Sequence, residues 1–199
     1  IPAIYFSFLI KKPIILWIQD LWPESLKDTG YIKNRYILFI IKFLLKINYL
    51  LSDLLLVQSN NFKKKIKNDF RINKKILTHY NLSELKFQKF KKCNNKKITV
   101  TYAGNFGNAQ DFETLLRVLK FAEIKKNFNF KLIGIGKKFD YLKNYISKNK
   151  LNKKIQLYKY IKGKKLNKIL LNSDALFLTL NRGEALDNTI PGKFQTYLS

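Results

Sequence analysis

The chain has 199 residues, of which 46% are hydrophobic, a composition that excludes a disordered segment and suits one or two globular domains. Its formal charge is +26, but only Arg35, Arg71, Arg117 and Arg182 among the 39 basic residues are arginine, which argues against a base-reading nucleic-acid protein. One cysteine and one histidine exclude an internal disulfide and offer no His/Cys metal cluster.

What remains of the charge has two readings. Lys, Asn and Ile share AT-rich codons, so a biased gene accounts for it plainly; an anionic membrane surface is the sharper alternative. Cys93, in the polar stretch KFKKCNNKK, fits a reducing cytosol. No apolar run reaches the roughly 18 residues of a spanning helix. There is no Met, and the chain opens on IPAIYFSFLI and stops at PGKFQTYLS, so we expect a piece of a longer protein that is inactive alone.

In chain order, KKPIILWIQD predicts a buried strand at 14–19, followed by the loop DLWPESLKDTG. Asp20 and Glu24 lie just past that strand, where a carboxylate orients a sugar hydroxyl or acts as a base. Trp22 is suited to stack on a sugar face; equally, Trp22 and Pro23 serve only to anchor the loop. YIKNRYILFIIKFLLKINYLLS predicts a long helix with Arg35, Lys42 and Lys46 on one stripe. That is an ordinary domain helix with one wet edge, or a helix resting on anionic lipid with snorkelling lysines. DLLLVQS (53–59) is a second strand, and Ser59 or Asn60 caps the basic helix after it. KKILTHYN (74–81) is a third, with His79 near its end, structural more readily than catalytic. Residues 84–97 read as a linker.

From Ile98 the alternation is regular: strand 98–103, helix 110–124, strand 130–136, helix 137–149, strand 154–161, helix 164–172 and strand 174–180. Apolar strands alternating with helices predict βαβ units on a parallel sheet. The expected fold class is therefore α/β, with two doubly wound, Rossmann-like domains. Residues 1–83 form the later part of the first and 98–199 the earlier part of the second. In such sheets ligands bind beyond the C-terminal strand ends.

Three loops there are candidates. Gly104-Asn105-Phe106-Gly107 joins a strand to a helix, where backbone N–H groups and the helix dipole can hold phosphate without side-chain charge. Gly134 and Gly136 stand at a similar junction, a weaker signal whose commoner meaning is close packing. Pro191-Gly192-Lys193 opens the last helix, with Lys193 a mobile cation for a diphosphate.

Together WIQDLWPESLKDTG, YAGNFGNAQDFETLL, LIGIG and IPGKFQTYLS resemble bacterial glycosyltransferases of family 4, of GT-B fold, and within them the O-antigen and capsule subgroup typified by fucosamine transferases. The resemblance implies a nucleotide-sugar donor, expected to be UDP-linked, held mainly by the second domain at Gly104 to Gly107 and at Gly192 and Lys193. It implies a lipid-linked glycan acceptor on the Asp20 side, retention of configuration, and no metal or cofactor. It also implies work on the inner face of the cytoplasmic membrane. The chain departs from the family pattern at Asn105 and Gln110, near the places of an Arg and a Lys. It departs again at Asn188 and Thr196, in place of two glutamates, and at Tyr80-Asn81-Leu82, in place of Pro-Asn-Trp. On the residues alone, a basic membrane- or nucleic-acid-binding module and a GT-B epimerase are the rival readings.

Overall fold

A computed structural model describes residues 2–83, 97–122 and 127–199. Cys93 and the expected linker, apart from Lys97, lie outside the described residues, as does the end of the helix expected at 110–124. The chain divides into two compact units. One comprises Ile1–Leu82 with Arg182–Gln195, the other Ser83–Asn181 with Thr196–Ser199.

The first unit runs α1 (Pro2–Ile10), β1 (Ile15–Ile18), α2 (Glu24–Asp28), α3 (Arg35–Leu51), β2 (Leu54–Val57), α4 (Asn60–Phe70) and β3 (Ile76–Thr78). Its three strands are parallel in the order β1-β2-β3, with Ile15 beside Leu54 and Leu55 beside Ile76. Ile18, Leu55, Val57 and Ile76 form the buried face, packed with Phe62, Ile66 and Phe70, which recur every four residues along α4. The Ser59 hydroxyl accepts from Phe62 N at 3.1 Å and so starts α4; Arg71, in the left-handed region at φ 52°, ends it. Asn34 caps α3 in the same way, accepting from Tyr36 N and Ile37 N. The opposite sheet face, with Ile15, Trp17 and Leu77, is exposed among the described residues. The single turn α2, which lies inside the expected loop, is too short to show a period.

The second unit contains β4 (Ile98–Ala103), α5 (Phe112–Ala122), β5 (Phe128–Ile133), α6 (Phe139–Lys148), β6 (Ile155–Tyr158), α7 (Gly163–Leu171) and β7 (Ala175–Leu176). Its sheet is parallel throughout, in the order β6-β5-β4-β7. Tyr102, Phe112, Leu115, Leu119, Leu132, Leu142 and Ile146 meet in its core. Both units therefore have the expected α/β, parallel-sheet class.

Two strands are shorter than their apolar runs. β6 is an edge strand, and beyond Ile133 the β5 chain turns away, so residues 159–161 have no ladder partner. β7 leaves the sheet after Phe177 N bonds Thr101 O; the chain then binds the loop before α5, through Asn181 N to Ala109 O at 2.8 Å. That would orphan the end of β4. Tyr197, from the closing helix α8 (Gly192–Leu198), repairs it: its hydroxyl accepts from Ala103 N at 2.9 Å and donates to Ala103 O at 3.1 Å.

Candidate functional site

In the second unit the loops after β4 and β5 are zipped together. Gly104 N donates to Ile133 O, Phe106 N to Ile135 O and Lys138 N to Phe106 O, at 2.9, 2.8 and 2.8 Å. The third loop amide, Gly107 N, donates to the side chain of Gln110 at 3.0 Å. Three of the four N–H groups expected to face phosphate are thus bonded within the protein, two to the chain after β5 and one to Gln110, and the exposed Asn105 is left as the outward edge of the loop. Phe106 is fully buried, in ring contact with Tyr102, Phe112 and Phe139. With its side chain in the core and both main-chain groups bonded, it anchors the loop and presents nothing to a ligand.

Gly134 and Gly136, both at positive φ (156° and 146°), make this zip possible. A Cβ on Gly134 would lie 1.8 Å from Gly104 O, and one on Gly136 would lie 2.6 Å from Phe106 O. Their role is close approach of backbone to backbone. A residue missing from the sequence reading is Lys138, whose ammonium donates to Gln110 O at 3.2 Å. It puts a cation beside a loop that has none of its own, and the Lys137-Lys138 pair directly after Gly136 was the signal for it.

In the first unit, residues 182–195 are fixed by Asp28. Its carboxylate accepts from Ala185 N at 2.7 Å and Leu186 N at 3.3 Å, and caps the short 3₁₀ turn Leu186–Asn188. A Cβ on Gly183 would lie 2.5 Å from that carboxylate, so glycine is required there. Ala185 enters the core of the unit.

Beside this segment, carboxylate oxygens of Glu24, Asp69 and Glu184 lie within 4.8 Å of one another. The Lys65 ammonium offsets part of the cluster's charge, at 2.7 Å from Asp69 and 2.6 Å from Glu184. Glu24 is only 8% exposed, and burial raises its carboxyl above the ordinary range. It was expected on the acceptor side; the fold gives it instead to this ion cluster, because it opens α2 directly over α4. Lys65→Met keeps the stem and deletes the charge. We expect it to lose about 1–2 kcal/mol in urea denaturation, since three carboxylates are then left to repel one another.

The remaining candidates are accessible. Asp20 is exposed past the end of β1, and Trp22 is 44% exposed, between buried Leu21 and Pro23. His79 is exposed, edge-on to Trp17 with ring centroids 5.3 Å apart. Gly192 has open space around its absent Cβ, the nearest atom being the Asn81 side-chain nitrogen at 4.0 Å. Lys193 is half-buried, and burial pushes its ammonium down to about 8.

Comparison with known proteins places this geometry. The family model of the glycosyl transferases group 1 matches residues 83–186, which include the whole zipped loop pair. No curated protein matches the chain. Among solved structures, the pneumococcal O-GlcNAc transferase GtfA, in complex with UDP and GlcNAc, is similar at 12% identity and a TM-score of 0.63, over 88% of this chain and 34% of that one. TarM is similar at 17% identity and 0.66, over 83% and 31%. Anabaena Alr3699/HepE in complex with UDP is similar at 13% identity and 0.58, over 87% and 48%. At such identities the likeness is one of fold, and this chain spans about a third of the length of the first two.

Proposed function

The chain belongs to the glycosyl transferases of group 1, and from that premise we propose that the protein moves a sugar from a nucleotide-sugar, UDP-linked, to a lipid-linked glycan acceptor in cell-surface polysaccharide synthesis. The observation that carries this reading is the locked glycine loop at the C-terminal end of a parallel sheet, within the matched segment. In the reaction the bond from the anomeric carbon to the diphosphate oxygen breaks and one to the acceptor hydroxyl oxygen forms. The hydroxyl proton passes to a base, and the nucleoside diphosphate leaves. We assign the donor side to Gly104, Asn105, Gly107, Gly134, Gly136, Pro191, Gly192 and Lys193, with Lys138 added and Phe106 positioning. Asp20 is the candidate to orient the acceptor hydroxyl, and Trp22 to stack on its sugar. Lysine ammonium groups supply the charge that stabilises the leaving diphosphate, so the proposal needs neither metal nor cofactor.

The resemblance of the sequence motifs to those of fucosamine transferases is the support for an N-acetylated hexosamine or deoxyhexosamine as the sugar, with retention of configuration. A lipid-linked acceptor supports a peripheral location on the inner face of the cytoplasmic membrane. The test is thermal stability with UDP, GDP, UDP-sugars and a short nucleic acid. UDP at about 100 times its dissociation constant adds about 2.7 kcal/mol and raises the melting temperature. Stabilisation by nucleic acid alone would replace the transferase by a polyanion-binding module.

A further inference from the structure

In a parallel sheet alternate residues of a strand turn both main-chain groups to the same neighbour, and on β4 the residues that face β7 are Thr99, Thr101 and Ala103. The Asp174 carboxylate accepts from Thr99 N at 2.7 Å, Asp174 N donates to Thr99 O at 2.9 Å, and Phe177 N donates to Thr101 O at 2.8 Å. Ala103 is next in the series, but by then the chain after β7 has turned to Asn108 and Ala109, whose carbonyls accept from Asn181 at 2.6 and 2.8 Å. The Tyr197 hydroxyl stands in for the absent backbone, as acceptor from Ala103 N and donor to Ala103 O. Its side chain packs against the cluster of Ala103, Ile133 and Leu170. Burial raises the hydroxyl above its ordinary range, so it keeps the proton that it donates.

The place of this contact gives it a consequence beyond the sheet, because Ala103 is the root of the glycine loop. The next residue, Gly104, donates to Ile133 O at 2.9 Å, and the hydroxyl of the residue before, Tyr102, donates to Asn105 O at 2.7 Å. Backbone therefore ties the loop on its β5 side, and Tyr102 and Phe106 brace it from the core. On the β7 side its root is held by one side-chain hydroxyl. The sheet can stop there, at the C-terminal end where parallel sheets bind ligands, without leaving two main-chain groups unpaired.

We propose that Tyr197 is a positioning residue, whose hydroxyl holds the root of loop 104–107 in the geometry that receives the donor diphosphate. It acts through Ala103 rather than on the donor, and it rests on the transferase reading for its ligand. The test compares Tyr197→Phe, which keeps the ring and deletes the hydroxyl, with Thr101→Val. The second change also removes a buried hydroxyl bond of β4, from Thr101 to Ser173 at 2.6 Å, but on a residue remote from the loop root. Amide hydrogen exchange and UDP titration are read on both. In Tyr197→Phe, exchange at Gly104 and Phe106 relative to Leu132, in the core of the same sheet, should quicken at least about tenfold. UDP affinity should fall about fivefold. Thr101→Val should leave both within about twofold of the unaltered protein, whatever it costs in overall stability. In the unaltered protein UDP should slow exchange at Ala103 as well as at Gly104 and Phe106, since coupling between two sites is reciprocal. That readout stands even where Tyr197→Phe does not fold. Where the unaltered protein binds UDP, the proposal is overturned if either value in Tyr197→Phe matches Thr101→Val, because the hydroxyl then only completes the sheet. It is overturned as well if UDP slows the loop amides and leaves Ala103 unmoved. If the unaltered protein binds no UDP, the transferase reading falls, and the exchange ratio alone decides whether Tyr197 holds the loop.

Discussion

Gly134→Ala is expected to destabilise the second unit by about 3 kcal/mol. Two costs combine. The backbone is at φ 156°, where an L side chain is strained. The new Cβ would also lie 1.8 Å from Gly104 O and 2.9 Å from Gly104 C, well inside van der Waals contact. Neither neighbour can withdraw. Gly104 is tied to Ile133 O through its own N–H, and the loop behind it is nailed into the core by Phe106. Gly163→Ala is the matched control: φ is 61° there, and nothing lies within 4 Å of the site. It should cost about 1 kcal/mol from conformation alone. Guanidinium denaturation of both variants measures the difference. If Gly134→Ala costs no more than Gly163→Ala, the two loops are not locked, and the rigid phosphate-side platform proposed here is lost with them.

This lock also shows what the sequence makes legible. The strands ILWI, LLLV and ITVTYA are apolar runs bounded by turn residues, and the helices after them repeat their apolar positions every three or four residues, so the class and order of elements could be read directly. Gly134 and Gly136 were legible as close packing, because glycine there has few other uses. Phe106 was not, because an aromatic residue between Asn105 and Gly107 looks like part of an exposed turn until Phe112 and Phe139 close over it. The remaining features depend on partners far apart in sequence. Asp28 finds Ala185 and Lys65 finds Glu184 across more than a hundred residues, so no local pattern marks the return of residues 182–195 to the first unit. The Tyr197 hydroxyl replaces a missing strand at Ala103 in the same way. On α3 the stripe of Arg35, Lys42 and Lys46 was legible from its spacing, but that Leu45 and Tyr49 are the residues that pack inward was not, because only the core they meet decides it.

Lys193→Met is expected to weaken UDP binding about tenfold or more near neutral pH and to remove a pH dependence that the unaltered protein should show. Burial holds the Lys193 ammonium down to about 8, against an ordinary 10.5. Below pH 8 the group is charged and able to grip a diphosphate. Above it, affinity should fall by up to about tenfold per pH unit, until the higher pKa of the bound state is passed. Because the diphosphate raises that pKa again, binding near pH 8.5 takes up a proton, which calorimetry in buffers of different ionisation enthalpy detects. Stability without nucleotide should move the other way. The folded pKa lies below the unfolded one, so the charged group works against folding below about pH 8, and that penalty is lifted as pH rises toward about 10.4. Met removes both effects while it keeps the stem. The alkaline limb thus separates a phosphate-gripping lysine from one that only packs: a packing lysine would give the stability trend alone, with UDP affinity flat across the same range and unchanged in the variant.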